Sequence, residues 1–180
     1  CVTRRQRQMC IRDSTYANHF EIASFLGASA IILLAILLDN LLNLRACPLC
    51  ILTRYIFGAI AVVSLIGFFI KKFYVLNKLL IILASIYGIA VSAKLIYLQN
   101  LTPEEIAMLP MGCDMPLETQ IEYFGLFGGL ANAFKGGPTC AEESWRFIFN
   151  FAEWGLIFFI IYLLSTLIKL KIGLFGSKTT

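Results

Sequence analysis

Cys47 and Cys50 are separated only by Pro48 and Leu49, and Arg54 follows four residues after the second cysteine. A proline at this point suits the first position of a helix, where its missing N–H costs nothing. Cys47 is then expected at the cap and Cys50 in the first turn, where free N–H groups and the helix dipole favour a thiolate. Arg54 falls on the same helix face as Cys50, one turn deeper. There its guanidinium can favour a Cys50 thiolate or donate to an acceptor oxygen of a bound molecule. An arginine snorkelling to lipid headgroups is the structural alternative.

Two more cysteines stand far from this pair. Cys113 follows Leu109–Pro110–Met111–Gly112, and Cys140 follows Lys135–Gly136–Gly137–Pro138–Thr139, so both are expected in flexible, accessible backbone. Of the six cysteines, Cys1 and Cys10 fall in the N-terminal arm, and the other four allow three pairings. The close pair most naturally bonds to itself, which leaves Cys113 for Cys140. A zinc site built from all four sulfurs is the first alternative, but Cys113 and Cys140 lack the close spacing of zinc ligands, and the single histidine, His19, lies elsewhere. No metal is expected. Two inert structural disulfides are the second alternative. A mobile, exposed disulfide, however, is a poor staple and a good electron acceptor.

The elements that carry these residues are apolar. Of 180 residues, 59% are hydrophobic and 14% charged, and the mean hydropathy is +0.80. That composition is far from a soluble domain's. Ile22–Leu38 has no charge, Ile51–Ile70 carries only Arg54, Leu79–Leu98 carries only Lys94, and Trp154–Ile168 is flanked by Lys169 and Lys171. Each is near the length a bilayer core requires, and the last is completed by snorkelling lysines and a Trp154 anchor. The expectation is an all-α integral membrane protein, a bundle of four transmembrane helices, with an uncleaved first span rather than a signal peptide.

Basic residues set the expected orientation. Arg4, Arg5, Arg7 and Arg12 precede the first span, Lys71, Lys72 and Lys78 join the second to the third, and Lys169, Lys171 and Lys178 follow the fourth. These belong on the cytoplasmic side. The acidic segment 99–153 and the short segment 39–46 are then periplasmic, as are Cys47, Cys50, Cys113 and Cys140, in a compartment where disulfides persist. The net charge of +4 thus reports topology and gives a nucleic-acid role no support. Residues 1–19 read as a cytoplasmic arm that need not all be native, 20–172 as the transmembrane redox domain, and 173–180 as a cytoplasmic tail. Within the outer segment, Tyr123–Phe134 is apolar but broken by Gly125, Gly128 and Gly129, which suits a short helix lying at the interface.

These features together resemble the DsbB family, disulfide bond formation protein B of bacterial inner membranes. The resemblance covers about Phe20–Ile172. It rests on Cys47–Arg54 (CPLCILTR), on Gly112–Asp114 (GCD), and on Cys140–Trp145 (CAEESW) leading to Glu153–Trp154. It implies an enzyme that reoxidises a periplasmic DsbA-type thioredoxin-fold oxidase and passes the electrons to a membrane quinone, ubiquinone or menaquinone. By position, Cys113 takes the partner's cysteine in a mixed disulfide with Cys140 as its loop partner. Cys47 and Cys50 reoxidise that pair, Cys50 lies against the quinone ring, and Arg54 contacts a quinone oxygen. The dithiol is at a membrane boundary because its reductant is aqueous and its oxidant dissolves in lipid.

The chain departs from the family pattern in two places. Thr53 stands where many members carry glutamine or glutamate, and Ala93–Lys94–Leu95–Ile96–Tyr97 offers no histidine at the outer end of the third span. Lys94 could supply the positive charge there or simply snorkel. Two other functions compete. A vitamin K epoxide reductase-like protein shares the quinone-facing dithiol, but typically late in its bundle. A non-enzymatic membrane protein with stapled outer loops would keep the same cysteines inert.

Overall fold

The computed structural model describes residues 4–43, 47–70, 73–107, 117–141 and 148–175. Regular structure in these residues is helical: α1 (Arg4–Leu42), α2 (Pro48–Phe69), α3 (Tyr74–Gln99), α4 (Pro103–Ala107), α5 (Leu117–Lys135), α6 (Pro138–Ala141) and α7 (Phe151–Phe175). Four helical stretches are long and apolar enough to cross a membrane: His19–Leu42, Pro48–Phe69, Tyr74–Gln99 and Phe151–Lys171. The expected four-span, all-α architecture is therefore present, with each span beginning before the apolar run that marked it.

The bundle is built around α2, which packs against α1 and α3, while α3 also packs along α7. Leu49, Leu52, Ile56, Phe57 and Ile60 line the buried face of α2. Phe57 stacks on Phe159 of α7 with ring centroids 4.2 Å apart and planes 8° from parallel. Gly88 of α3 lets that stack form, since a Cβ there would lie 2.4 Å from the Phe159 ring. Small residues at a helix crossing are the expected means of close packing where lipid removes any hydrophobic drive between helices. Leu33, Leu37 and Leu41 of α1, with Leu164 and Ile168 of α7, point outward, where acyl chains replace water.

Two boundaries differ from the sequence expectation. Helix α1 starts at Arg4, so much of the arm continues the first span. Arginine, glutamine and methionine are strong helix formers and need no apolar stripe to extend a helix already nucleated. Helix α1 also runs on to Leu42 and ends against Asn43 at φ 49°, the left-handed position that commonly stops a helix. Asp39 and Asn40, expected in a loop, are in its last turn.

Lys78 also moves from loop to helix. Expected to join the second and third spans, it is 1% exposed within α3. Its Nζ donates to Glu21 Oε1 of α1, lies 4.0 Å from the Phe20 ring centroid, and is joined by Asn77 Nδ2, 3.4 Å from the same oxygen. The pair compensates two charges that the bundle interior would otherwise reject.

Between α3 and α7 the chain forms short helices. Thr102 caps α4, its N–H and hydroxyl both donating to Glu105 Oε2 at 3.0 and 2.8 Å. These bonds hold the Glu105 carboxyl below the usual carboxylate range. Helix α5 contains the expected glycine-broken segment and kinks at Gly125, with φ 71° and ψ 173°, a conformation that glycine alone adopts readily. Tyr123, Phe124 and Phe127 beside the kink are exposed, as a helix lying at a lipid interface requires.

Candidate functional site

Helix α2 begins as the Cys-Pro pattern predicts. Cys47 is the N-cap with extended backbone (φ −69°, ψ 159°), and Pro48 follows at the helix start. The Cys47 carbonyl accepts from Ile51 N at 3.1 Å, and its sulfur accepts from Cys50 N at 3.2 Å. One orphan N–H of the first turn is thus satisfied by sulfur. Cys47 Sγ also donates to Cys50 Sγ at 2.7 Å.

The third sulfur arrives from a distant segment. Cys140 is in α6, where its N–H donates to Gly137 O at 3.0 Å, and its thiol is hydrogen-bonded to Cys47. Gly136, at φ 76°, makes this possible: a Cβ there would lie 2.3 Å from Leu98 Cδ1 and 3.4 Å from Leu49 Cδ1. The bare backbone lets the turn press onto α2 and α3 and tucks α6 against them. Cys140 is 1% exposed and Cys47 6%, so the accessible backbone expected around Cys140 is not what forms. Cys113 lies outside the described residues.

Cys47 and Cys50 are both thiols in this arrangement, with no disulfide between them. The Cys47 thiol titrates well above the ordinary range, first because of its hydrogen bond with Cys140, then that with Cys50, then burial. This reverses the thiolate-favouring effect expected of a helix start. Hydrogen bonds that stabilise the neutral thiol, together with desolvation, outweigh the donor N–H from Cys50. Cys47 is therefore held as a neutral thiol rather than a resting nucleophile.

Arg54 is one turn inward on the face of Cys50, as expected. The structure adds a partner that the sequence reading missed: Arg54 Nη1 lies 2.6 Å from Asp39 Oδ2 of α1. Neither side chain is fully buried, at 22% and 18% exposure. Thr53 gives its hydroxyl to Leu49 O at 2.9 Å, so it is engaged with its own helix. Lys94 Nζ is 5.2 Å from the Tyr97 ring centroid, a contact within α3.

The far rim of the site is tied by a capping box. Asn150 N donates to Glu153 Oε2 and Glu153 N to Asn150 Oδ1, both at 2.8 Å. Asn150 Nδ2 also donates to Gln99 Oε1 at 2.9 Å. Glu153 thus starts α7, and Asn150 fastens that start to the end of α3. Among the described residues, no group of three or more His, Cys, Asp or Glu side chains is arranged to hold a metal ion.

The arrangement can carry thiol–disulfide exchange between two segments of one chain, and similarity to known proteins agrees. The family model described as Disulfide bond formation protein DsbB matches residues 18–168. The proteins named Disulfide bond formation protein B from Marinobacter nauticus and Acinetobacter baumannii are each 29% identical to this chain. The first match covers 82% of this chain and 88% of the relative, the second 83% and 85%. The protein of the same name from Polaromonas naphthalenivorans is 28% identical over 79% of this chain and 84% of its own. No solved structure matches the chain. With four membrane-crossing helices and a buried cysteine cluster at the head of the second, the chain belongs to the DsbB family, the multi-pass thiol oxidases of disulfide bond formation in the bacterial inner membrane.

Proposed function

We propose that this thiol oxidase draws electrons from a periplasmic DsbA-type thioredoxin-fold protein and delivers them to a membrane quinone, ubiquinone or menaquinone. One observation carries the reading: Cys140, from the segment between α3 and α7, is hydrogen-bonded to Cys47 at the head of α2. That contact provides the step any relay between a loop disulfide and a membrane-edge disulfide requires. Cysteine-bearing loops are periplasmic on this reading and both termini cytoplasmic. Residues 20–172 form the redox domain between an arm, 1–19, and a tail, 173–180.

In the oxidised enzyme Cys47 is bonded to Cys50 and Cys113 to Cys140. A thiolate of the partner attacks Cys113, forming a mixed disulfide and releasing Cys140 as the leaving thiolate. Cys140 attacks Cys47, breaking the Cys47–Cys50 bond and releasing the Cys50 thiolate. The partner's second thiol resolves the mixed disulfide and frees Cys113, which then attacks Cys140 and restores the loop disulfide. The partner leaves oxidised, and Cys47 and Cys50 hold the electron pair.

A quinone fits the residues beside Cys50. Arg54 is half-buried on the Cys50 face at the edge of an apolar helix, and its ion pair is made through Nη1. A guanidinium has five N–H donors, so donors remain for a carbonyl oxygen. The quinone, when bound, supplies the two-electron acceptor chemistry. Cys50 and Arg54 are the residues that would hold it, Cys50 as the nearest sulfur and Arg54 as a donor to an oxygen.

The test is anaerobic quinone reduction by purified protein, followed optically with a reduced DsbA-type donor. Donor-dependent turnover abolished by each of Cys47→Ser, Cys50→Ser, Cys113→Ser and Cys140→Ser is the expected result. Folded protein without turnover on either quinone would overturn the reading and favour an inert, stapled membrane protein.

A further inference from the structure

We propose that Asp39 is a positioning residue for quinone binding: it holds Arg54 by one nitrogen and so directs the remaining guanidinium donors at the quinone oxygen. The inference rests on the reading of Arg54 as the quinone contact.

Helix stability does not account for an aspartate at this place. Asp39 is in the last turn of α1, where unpaired carbonyls make the local field negative and a carboxylate is disfavoured. No basic residue of α1 lies in that turn to offset it. The compensating cation comes from another helix, through the 2.6 Å contact to Arg54 Nη1. Arg54, in turn, lies in the second turn of α2, and the two charges offset each other across the helix boundary.

The geometry of the pair has a consequence for the donors. Arginine has a long, rotamer-rich side chain, and at the edge of a bilayer its default is to reach for headgroups. Anchoring Nη1 on α1 removes that freedom. The contact runs from Nη1 to Oδ2, and a guanidinium carries five N–H donors, so others remain outside the ion pair. A planar fork pinned at one tooth presents its other N–H groups in fixed directions. The carboxylate also cancels most of the charge, so an uncharged quinone meets oriented donors rather than a mobile cation that prefers phosphate.

Equilibrium binding separates this role from a structural one. A short-chain ubiquinone and a short-chain menaquinone are titrated against the purified, oxidised protein, with Asp39→Asn, Asp39→Glu and Arg54→Met alongside the parent. Melting of each quinone-free protein and quinone KM and kcat are measured in parallel. Asp39→Asn is expected to weaken binding and raise KM about tenfold, the scale of one misdirected charge-assisted hydrogen bond. Its kcat and quinone-free melting change little, and Asp39→Glu recovers most of the affinity. Where Asp39→Asn does not fold, Asp39→Gln replaces it, and failure of both to fold assigns the pair to structure and overturns the proposal. Binding by Asp39→Asn within twofold of the parent, beside weak binding by Arg54→Met, overturns the proposal and leaves the Arg54 reading intact. Parent-like binding by Arg54→Met overturns both.

Discussion

Cys140 of α6 reaches Cys47 at the cap of α2, and both sulfurs are buried where they meet. This contact joins a segment lying outside the spans to the first residue before one of them. In the Cys50→Ser, Cys113→Ser double variant, mild oxidation with diamide is expected to link Cys47 to Cys140. Mass spectrometry of proteolytic fragments checks it through a linked peptide lost on reduction. Recovery of both cysteines as free thiols would show that the sulfurs are out of reach of each other.

Cys47 should also betray its neighbours by titration. Its thiol titrates above the ordinary range, chiefly through the hydrogen bond with Cys140. Alkylation of Cys47 in the reduced protein is therefore expected to be slow at neutral pH, because only the thiolate reacts. It rises only at pH values above those of an exposed cysteine. Cys140→Ala removes the largest cause and moves the alkylation profile to lower pH. For stability the sign is the opposite of a paired carboxylate's, since the folded state holds this proton more tightly. The contribution is full below the unfolded thiol pKa and is lost as pH rises through the folded one. An alkylation profile of Cys47 that Cys140→Ala leaves in place would contradict the contact.

The pair Glu21–Lys78 lies between α1 and α3, with side chains 4% and 1% exposed. Lys78→Met leaves a buried carboxylate uncompensated and is expected to destabilise the fold by about 3–5 kcal/mol. Replacing both, Glu21→Leu with Lys78→Met, removes the charge along with its need and should recover most of the loss. Denaturant unfolding in detergent micelles measures the two variants against the parent. Equal destabilisation by the single and double changes would sink this account.

Gly88 and Gly58 offer a matched comparison. A Cβ at Gly88 meets the Phe159 ring at 2.4 Å, whereas one at Gly58 finds only Ile32 Cδ1 at 4.0 Å. The ring cannot retreat freely because it is stacked on Phe57. Gly88→Ala is expected to cost about 1–3 kcal/mol through overpacking. Gly58→Ala should be neutral or stabilising by up to about 1 kcal/mol, since alanine is the better helix former. Thermal unfolding of the two variants decides it, and a tolerated Gly88→Ala would mean that α3 and α7 are not so closely apposed.

Much of this was readable from residue order. Runs with at most one charge located the spans because lipid tolerates few charges, and Pro48 located the start of α2 because proline has one favoured place in a helix. Glycine spacing announced the break in α5, although not that Gly125 would be the residue to turn. Lys78 was misplaced for a physical reason: beside Lys71 and Lys72 it looks like loop charge, and its partner Glu21 is on another helix at no readable interval. Asp39 was hidden in the same way, its cation lying across a helix boundary. The burial of Cys140 depends on Gly136 passing Leu98 at a distance only a missing side chain permits. Local spacing holds no trace of that approach.

The near-complete enclosure of Cys47 and Cys140 bears on wiring as well as on chemistry. Small dissolved thiols and oxidants diffuse everywhere outside a membrane, and a bare dithiol at its edge would trade electrons with all of them. Sulfurs sheathed by α2, α3 and α6 have no such traffic. Current then passes only where another protein sulfur is admitted, and the junction is protected from short circuit by the same packing that brings its two contacts together.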